Sequence, residues 1–158
     1  MVAGDEAGFV AILAYIDTLV QKSTMAAVVR TLTHSIDTIA NIVRVPAFRN
    51  IVAGRQAGKG GKDIYTVILH CIENLKTATM RTPQYELLLT ALRILVSFAN
   101  TDSIRRKLCA KKKWTEKLFA TLKDVENTGK RRGAAVDTPK SQVLTELFTV
   151  FGDAPQTA

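Results

Sequence analysis

Residues 86–122 read ELLLTALRILVSFANTDSIRRKLCAKKKWTEKLFATL. The leucines at the start of this stretch recur at three- and four-residue spacing, which predicts an amphipathic helix over residues 83–99. The polar run NTD at residues 100–102 interrupts the pattern, and a short helix over 102–110 and a longer helix over 112–125 follow. The stretch therefore predicts a long helix, a tight break, a short helix and a second long helix.

The rest of the chain shows the same helical periodicity on both sides of this stretch. No apolar segment alternates with the two-residue period of a strand, so the sequence predicts an all-α fold. Two glycine-rich or basic segments, residues 55–62 and 127–138, are expected to be loops. The other predicted helices span residues 5–22, 24–45, 48–54, 63–79 and 139–152.

The apolar positions of these helices repeat along the chain with a period of 50 to 53 residues, as expected of a stacked helical-repeat protein. A short third element recurs as well, as FRNIVAG at residues 48–54 and IRRKLCA at 104–110. The matched positions are Ile39, Ile42 and Val43 with Leu92, Leu95 and Val96; these with Leu144, Leu147 and Phe148; Ile12, Ile16 and Val20 with Ile64, Ile68 and Ile72; and Ile68 and Ile72 with Leu118 and Leu122.

This unit of two long helices and one short helix resembles the armadillo repeat, which also has three helices. The resemblance implies an armadillo-like right-handed superhelix of about two to three repeats in a single domain over residues 1–158, as a fragment or terminal part of a longer solenoid. It also implies a partner-binding groove lined by the helices at 5–22, 63–79 and 112–125, which makes His70 and Asn74 candidate binding residues. Asn74 and Trp114 do not stand at matched positions, so the peptide clamp of some armadillo proteins is not reproduced.

Residues 86–122 further resemble the armadillo repeats near the C-terminus of rotatin-type scaffolds of the centriole and ciliary basal body. The features in common are the order of the helices, an asparagine at the break and basic residues in the short helix. This resemblance implies a role in centriole or basal-body assembly.

Composition is that of an ordinary soluble protein, with 47% hydrophobic and 23% charged residues. No stretch approaches the ~20 apolar residues of a membrane span, and acidic residues precede the first apolar run where a secretory signal needs positive charge. We expect Cys71 and Cys109 to be small buried hydrophobic residues. The expected location is the cytoplasm, including the centrosome or centriole, with the nucleus as the alternative.

The formal net charge of +8 is concentrated in one segment, residues 105–117, where Glu116 is the only acidic residue. Such a cluster favours an anionic partner, which is nucleic acid, an acidic peptide or an anionic lipid surface, and the alternative is a solvated face that only aids solubility. Trp114 lies within the cluster but begins an apolar stripe, so we expect it to be buried. The candidate binding residues are Arg105, Arg106, Lys107, Lys111, Lys112, Lys113 and Lys117.

The final helix carries an apolar stripe that a following repeat would cover in a longer array. Leu144, Phe148 and Phe151 are therefore candidates for an exposed edge that binds a partner or a second copy of the chain.

No pattern in the sequence predicts a catalytic, metal-binding or cofactor-binding site. Residues 54–63, GRQAGKGGKD, lack the spacing and the hydroxyl residue of a phosphate-binding loop. His70 and Cys71 are neighbours on one helix and point about 100° apart, so they do not form a base and nucleophile pair. The sequence thus predicts a non-catalytic protein-interaction scaffold, with a basic module that binds the nucleic-acid backbone as the alternative.

Overall fold

A computed structural model describes residues 3–22, 25–53, 63–78, 81–128 and 138–153. The regular structure in these residues is entirely helical, which confirms the all-α prediction. The helices are α1 (Ala3–Lys22), α2 (Met25–Val43), α3 (Pro46–Val52), α4 (Ile64–Leu75), α5 (Pro83–Ala99), α6 (Asp102–Ala110), α7 (Lys112–Asn127) and α8 (Thr138–Asp153).

Local side chains set where several helices begin. The Asp63 carboxylate accepts a hydrogen bond from the Thr66 backbone N–H at 2.9 Å and caps α4. Thr82 caps α5 in the same way, and Pro83 occupies the first helical position that it tolerates. Pro46 ends the pattern of α2 as predicted, but it also begins α3, two residues earlier than the sequence predicts.

The long helices form two rows, and each helix packs against the helix three positions later in the chain. One row contains α1, α4 and α7, and the other contains α2, α5 and α8. The short helices α3 and α6 each follow a helix of the second row and pack against its end. This order buries one continuous apolar core between the rows, because no three-helix unit has enough apolar neighbours of its own.

Burial confirms two of the predicted repeat offsets. At an offset of 50 residues each buried residue of α7 matches a buried residue of α4, and at 52 residues each residue of α8 that is recorded as buried matches a buried residue of α5. The offset of 53 residues between α2 and α5 is wrong by one helical turn, since at 53 Val43 pairs with the half-buried Val96. At 56 residues every α2 residue recorded as buried, from Val29 on, matches a buried residue of α5: Val29 with Tyr85, Leu32 with Leu88, Ile36 with Leu92, Ile39 with Leu95, and Val43 with Ala99.

The corrected offset also relates two arginines that close the break after each long helix. The Arg49 guanidinium donates to the carbonyl of Val43, and that of Arg105 donates to the carbonyl of Ala99 at 3.2 Å. Each arginine therefore satisfies a terminal carbonyl of the preceding helix, six residues back. Arg49 also donates to the Thr101 hydroxyl at 3.3 Å, which joins one unit to the next.

A chain of aromatic rings runs through the core between the rows. Trp114 of α7 is buried, as predicted, and lies edge-on to Tyr65 of α4 at 6.4 Å and to Phe151 of α8 at 5.9 Å between ring centroids. Tyr65 in turn meets Phe98 of α5 at 5.1 Å. These edge-to-face contacts connect four long helices, α4, α5, α7 and α8.

Candidate interaction surface

The row of α1, α4 and α7 carries a strip of small and polar residues toward solvent. Thr18, His70 and Ala120 occupy equivalent positions on the three helices, 52 and 50 residues apart, and Thr18 and Ala120 are exposed while His70 is half-buried. Asn74 is exposed one turn beyond His70, and its side-chain amide donates to the His70 carbonyl at 2.8 Å. The small side chains of Thr18 and Ala120 leave room for the backbone of a bound segment on the helices beside His70. We call this surface the α1–α4–α7 strip.

Three ion pairs connect α4 to α7. Lys111 lies 2.8 Å from Asp63, Lys117 lies 3.3 Å from Glu73, and Lys76 lies 3.1 Å from Asp124. The Lys76 and Asp124 side chains are largely exposed, so their pair contributes little to stability, whereas the Asp63 side chain is mostly buried. The ion pairs hold the two helices of the strip in a defined register.

Of the three acidic side chains in these ion pairs, that of Asp63 is the least exposed. Burial raises its pKa, but hydrogen bonds from the Lys111 ammonium and from the Thr66 backbone and hydroxyl outweigh that effect, so the pKa of Asp63 lies below its usual value. Asp63 therefore stays charged and acts both as the cap of α4 and as the acceptor of Lys111. Sequence reasoning treated Lys111 only as a surface cation.

The structure divides the seven predicted basic residues into two groups. Arg105 pairs with Asp102, Lys111 with Asp63 and Lys117 with Glu73, so their charges are already neutralised in part. The other four are exposed and form no ion pair with any described acidic residue; we call them the basic corner. The basic corner consists of Arg106 in the middle of α6, Lys107 in its last turn, and Lys112 and Lys113 at the start of α7.

The beginning of α7 has an unfavourable local charge. Its first turn contains no acidic residue, and no side chain caps it. The N-terminus of a helix carries about half a positive charge from its aligned peptide dipoles, so Lys112 and Lys113 add positive charge where a negative charge would stabilise the helix.

The prediction that α8 has an exposed apolar edge is wrong for two of the three residues it names. Leu144 and Phe151 are buried, because they pack against α5 and α7 of the same chain. Phe148 is half-buried, and its ring stacks on that of Phe119 at 6.1 Å with an angle of 5° between the planes. The α8 stripe is therefore mainly an internal surface, and only Phe148 remains near solvent.

Cys71 and the residues around it belong to the core. Cys71 is fully buried, and burial raises the pKa of its thiol to about 12. Cys109 is half-buried, so the prediction that both cysteines are buried is confirmed for Cys71 and wrong for Cys109.

Among the described residues, no group of three or more His, Cys, Asp and Glu side chains is arranged to hold a metal ion. The glycine-rich residues 54–62 lie outside the described part of the chain.

In the described ranges, no single helix is both long and apolar enough to cross a membrane, and α5 and α6 reach that length and composition only as a pair bent by 105°.

Comparisons of the chain with protein-family models, with curated proteins and with solved structures gave no match.

Proposed function

We propose that this chain is a non-catalytic protein-interaction module, built as an armadillo-like array of about two to three three-helix repeats. It binds a segment of a partner protein along the α1–α4–α7 strip. The observation that carries the proposal is the packing of each long helix on the helix three positions later, which supports a repeat array. Helical-repeat arrays use such extended surfaces to bind other proteins.

The matched positions Thr18, His70 and Ala120 support the placement of the partner. They lie on three adjacent helices of one row, and none of them belongs to the apolar core. A segment bound there crosses all three helices, and ion pairs already link two of them, α4 and α7, before binding.

The test is affinity capture from a nuclease-treated extract with the wild-type chain and two matched variants. Ala120→Tyr adds a bulky ring to the strip, and Thr145→Tyr adds the same ring at an exposed position of α8. The proposal expects a protein partner that the wild type and Thr145→Tyr retain and that Ala120→Tyr loses. Capture that survives in both variants, or that occurs only in extract not treated with nuclease, contradicts it.

We place this function in the cytoplasm, at the centriole or basal body, on the basis of the resemblance of residues 86–122 to rotatin-type scaffolds. A fluorescently tagged chain is expected to concentrate at centrioles, and a uniformly cytoplasmic or nuclear signal contradicts this location.

A second candidate function is binding of the nucleic-acid backbone, favoured by the net charge of +8 and by the four cations of the basic corner, which pair with none of the described acidic residues. Binding of this kind falls steeply as salt increases, because each neutralised phosphate releases counterions. An interaction along the small and polar strip depends less on salt, so a salt titration separates the two functions.

A further inference from the structure

We infer that the basic corner, formed by Arg106, Lys107, Lys112 and Lys113, is a docking site for a short acidic segment of a protein. This inference deepens the proposed function, on which it rests, by naming the chemistry of the partner. It goes beyond the strip because the corner lies at the junction of α6 and α7 and uses charge rather than small side chains.

The first support is that these four charges, unlike three others in the same segment, take no part in an ion pair between described residues. Arg105, Lys111 and Lys117 each hold an acidic side chain, and Arg105 also closes the break after α5. The four corner residues are exposed and hold no described acidic partner. Glu116 stands within one turn of Lys112 and Lys113 on α7, yet it forms an ion pair with neither.

The second support is that two of the charges oppose the stability of their own helix. Lys112 and Lys113 lie in the first turn of α7, where the helix dipole repels cations, and this turn has neither an acidic residue nor a side-chain cap. A local arrangement that disfavours the fold without a compensating contact is typical of a functional site. A carboxylate from a partner supplies the missing negative charge and accepts hydrogen bonds from the free N–H groups of the turn.

The size of the corner favours a short acidic peptide over nucleic acid. Its four cations fall within residues 106–113, and three acidic residues lie beside this segment: Asp102 at the start of α6, Glu116 about one turn further along α7, and Asp63, which pairs with Lys111. A long polyanion that crosses this surface meets those carboxylates within a few residues of the corner. A peptide with a few carboxylates fits between them and does not extend past the positive area.

The test compares binding of a fluorescein-labelled glutamate-rich peptide with binding of a duplex DNA of equal charge, both measured by fluorescence anisotropy at moderate salt. The test variant is Lys112→Glu with Lys113→Glu. The control is Arg30→Glu with Arg93→Glu, which makes the same change in net charge at exposed positions of α2 and α5. Lys111 is left unchanged because it holds Asp63.

We expect the test variant to weaken peptide binding at least about tenfold and the control to change it by less than about twofold. The melting temperature of the test variant should be equal to or up to roughly 4 °C above that of the wild type, because the substitutions place negative charge at the N-terminus of α7. A loss of binding at such a melting temperature is not caused by unfolding of the variant.

Three results overturn the inference: no binding of the peptide to the wild type, equal weakening in both variants, or tighter binding of the DNA than of the peptide. The proposed function is judged separately, because Ala120→Tyr alters the strip and leaves the corner intact. Loss of the partner with Ala120→Tyr but not with the corner variant sustains the function and contradicts the inference.

Discussion

The indole Nε1 of Trp114 donates a hydrogen bond to the backbone carbonyl of Tyr65 at 3.2 Å, in the buried space between α7 and α4. The two residues are 49 apart in sequence and come from successive helices of one row. Trp114 thus both packs in the apolar core and donates a directional hydrogen bond there. It fixes the position of α7, and hence of the basic corner at its beginning, relative to α4.

Replacement of Trp114 by Phe keeps an aromatic ring in the core but removes the donor to Tyr65. We expect the free energy of unfolding to fall by about 1–2 kcal/mol, from the lost hydrogen bond and the smaller ring. Trp114→Ala should cost about 3–5 kcal/mol because it also leaves a cavity. Urea unfolding followed by circular dichroism measures both values. Equal stability of Trp114→Phe and the wild type would show that this hydrogen bond does not contribute to the free energy of unfolding.

The phenol of Tyr65 gives a prediction of the opposite sign. Its hydroxyl is buried and has no hydrogen-bond partner among the described residues, and burial raises the pKa of the group. Tyr65→Phe removes an unsatisfied polar atom and retains the ring contacts with Phe98 and Trp114. We therefore expect the free energy of unfolding to rise by about 1 kcal/mol. A decrease of that size in urea unfolding would reveal a partner for the hydroxyl.

Acid should weaken the fold through Asp63. The pKa of this carboxyl is lower in the folded chain than its usual value near 4, so its contribution is complete above about pH 4 and is lost as the pH falls through the folded pKa. Asp63→Asn should lower stability at neutral pH and flatten the acid limb of a plot of unfolding free energy against pH. Asp124→Asn is the control, because Asp124 is more exposed and its pair is weaker. An unchanged acid limb in Asp63→Asn would contradict the account.

The hydrogen bond from Arg49 to Thr101 should couple the two three-helix units. A double-mutant cycle of Arg49→Met with Thr101→Val is expected to give an interaction energy of about 0.5–1.5 kcal/mol. The matched control is Arg49→Met with Thr90→Val, since the Thr90 hydroxyl donates within its own helix to Glu86. Additive effects in the first cycle would show that the units are joined by apolar packing alone.

Sequence patterns predicted the helices because local signals determine where they begin and end. Asp63 and Pro83 mark helix starts by capping and by a fixed backbone angle, and both lie where the sequence placed them. The burial of Trp114 also followed from its place at the start of an apolar stripe. These features depend on residues a few positions apart.

Features that depend on distant residues were predicted less well. The α2 to α5 offset was shifted by three residues because apolar side chains recur at three- and four-residue spacing, so a one-turn shift keeps most matches. The burial of Leu144 and Phe151 could not be read from the stripe of α8, since periodicity shows which face is apolar but not which helix covers it. The pairing of Lys111 with Asp63, 48 residues away, depends on how α4 and α7 cross.

Hydrogen exchange on the chain with its captured protein partner tests the central claim, that a partner segment binds along the α1–α4–α7 strip. The account predicts slower exchange around Thr18, His70 and Ala120 when the partner is bound, extending to residues 106–113, with no change in α2. Protection confined to α2 and α3, or no protection anywhere in a stable complex, would contradict it.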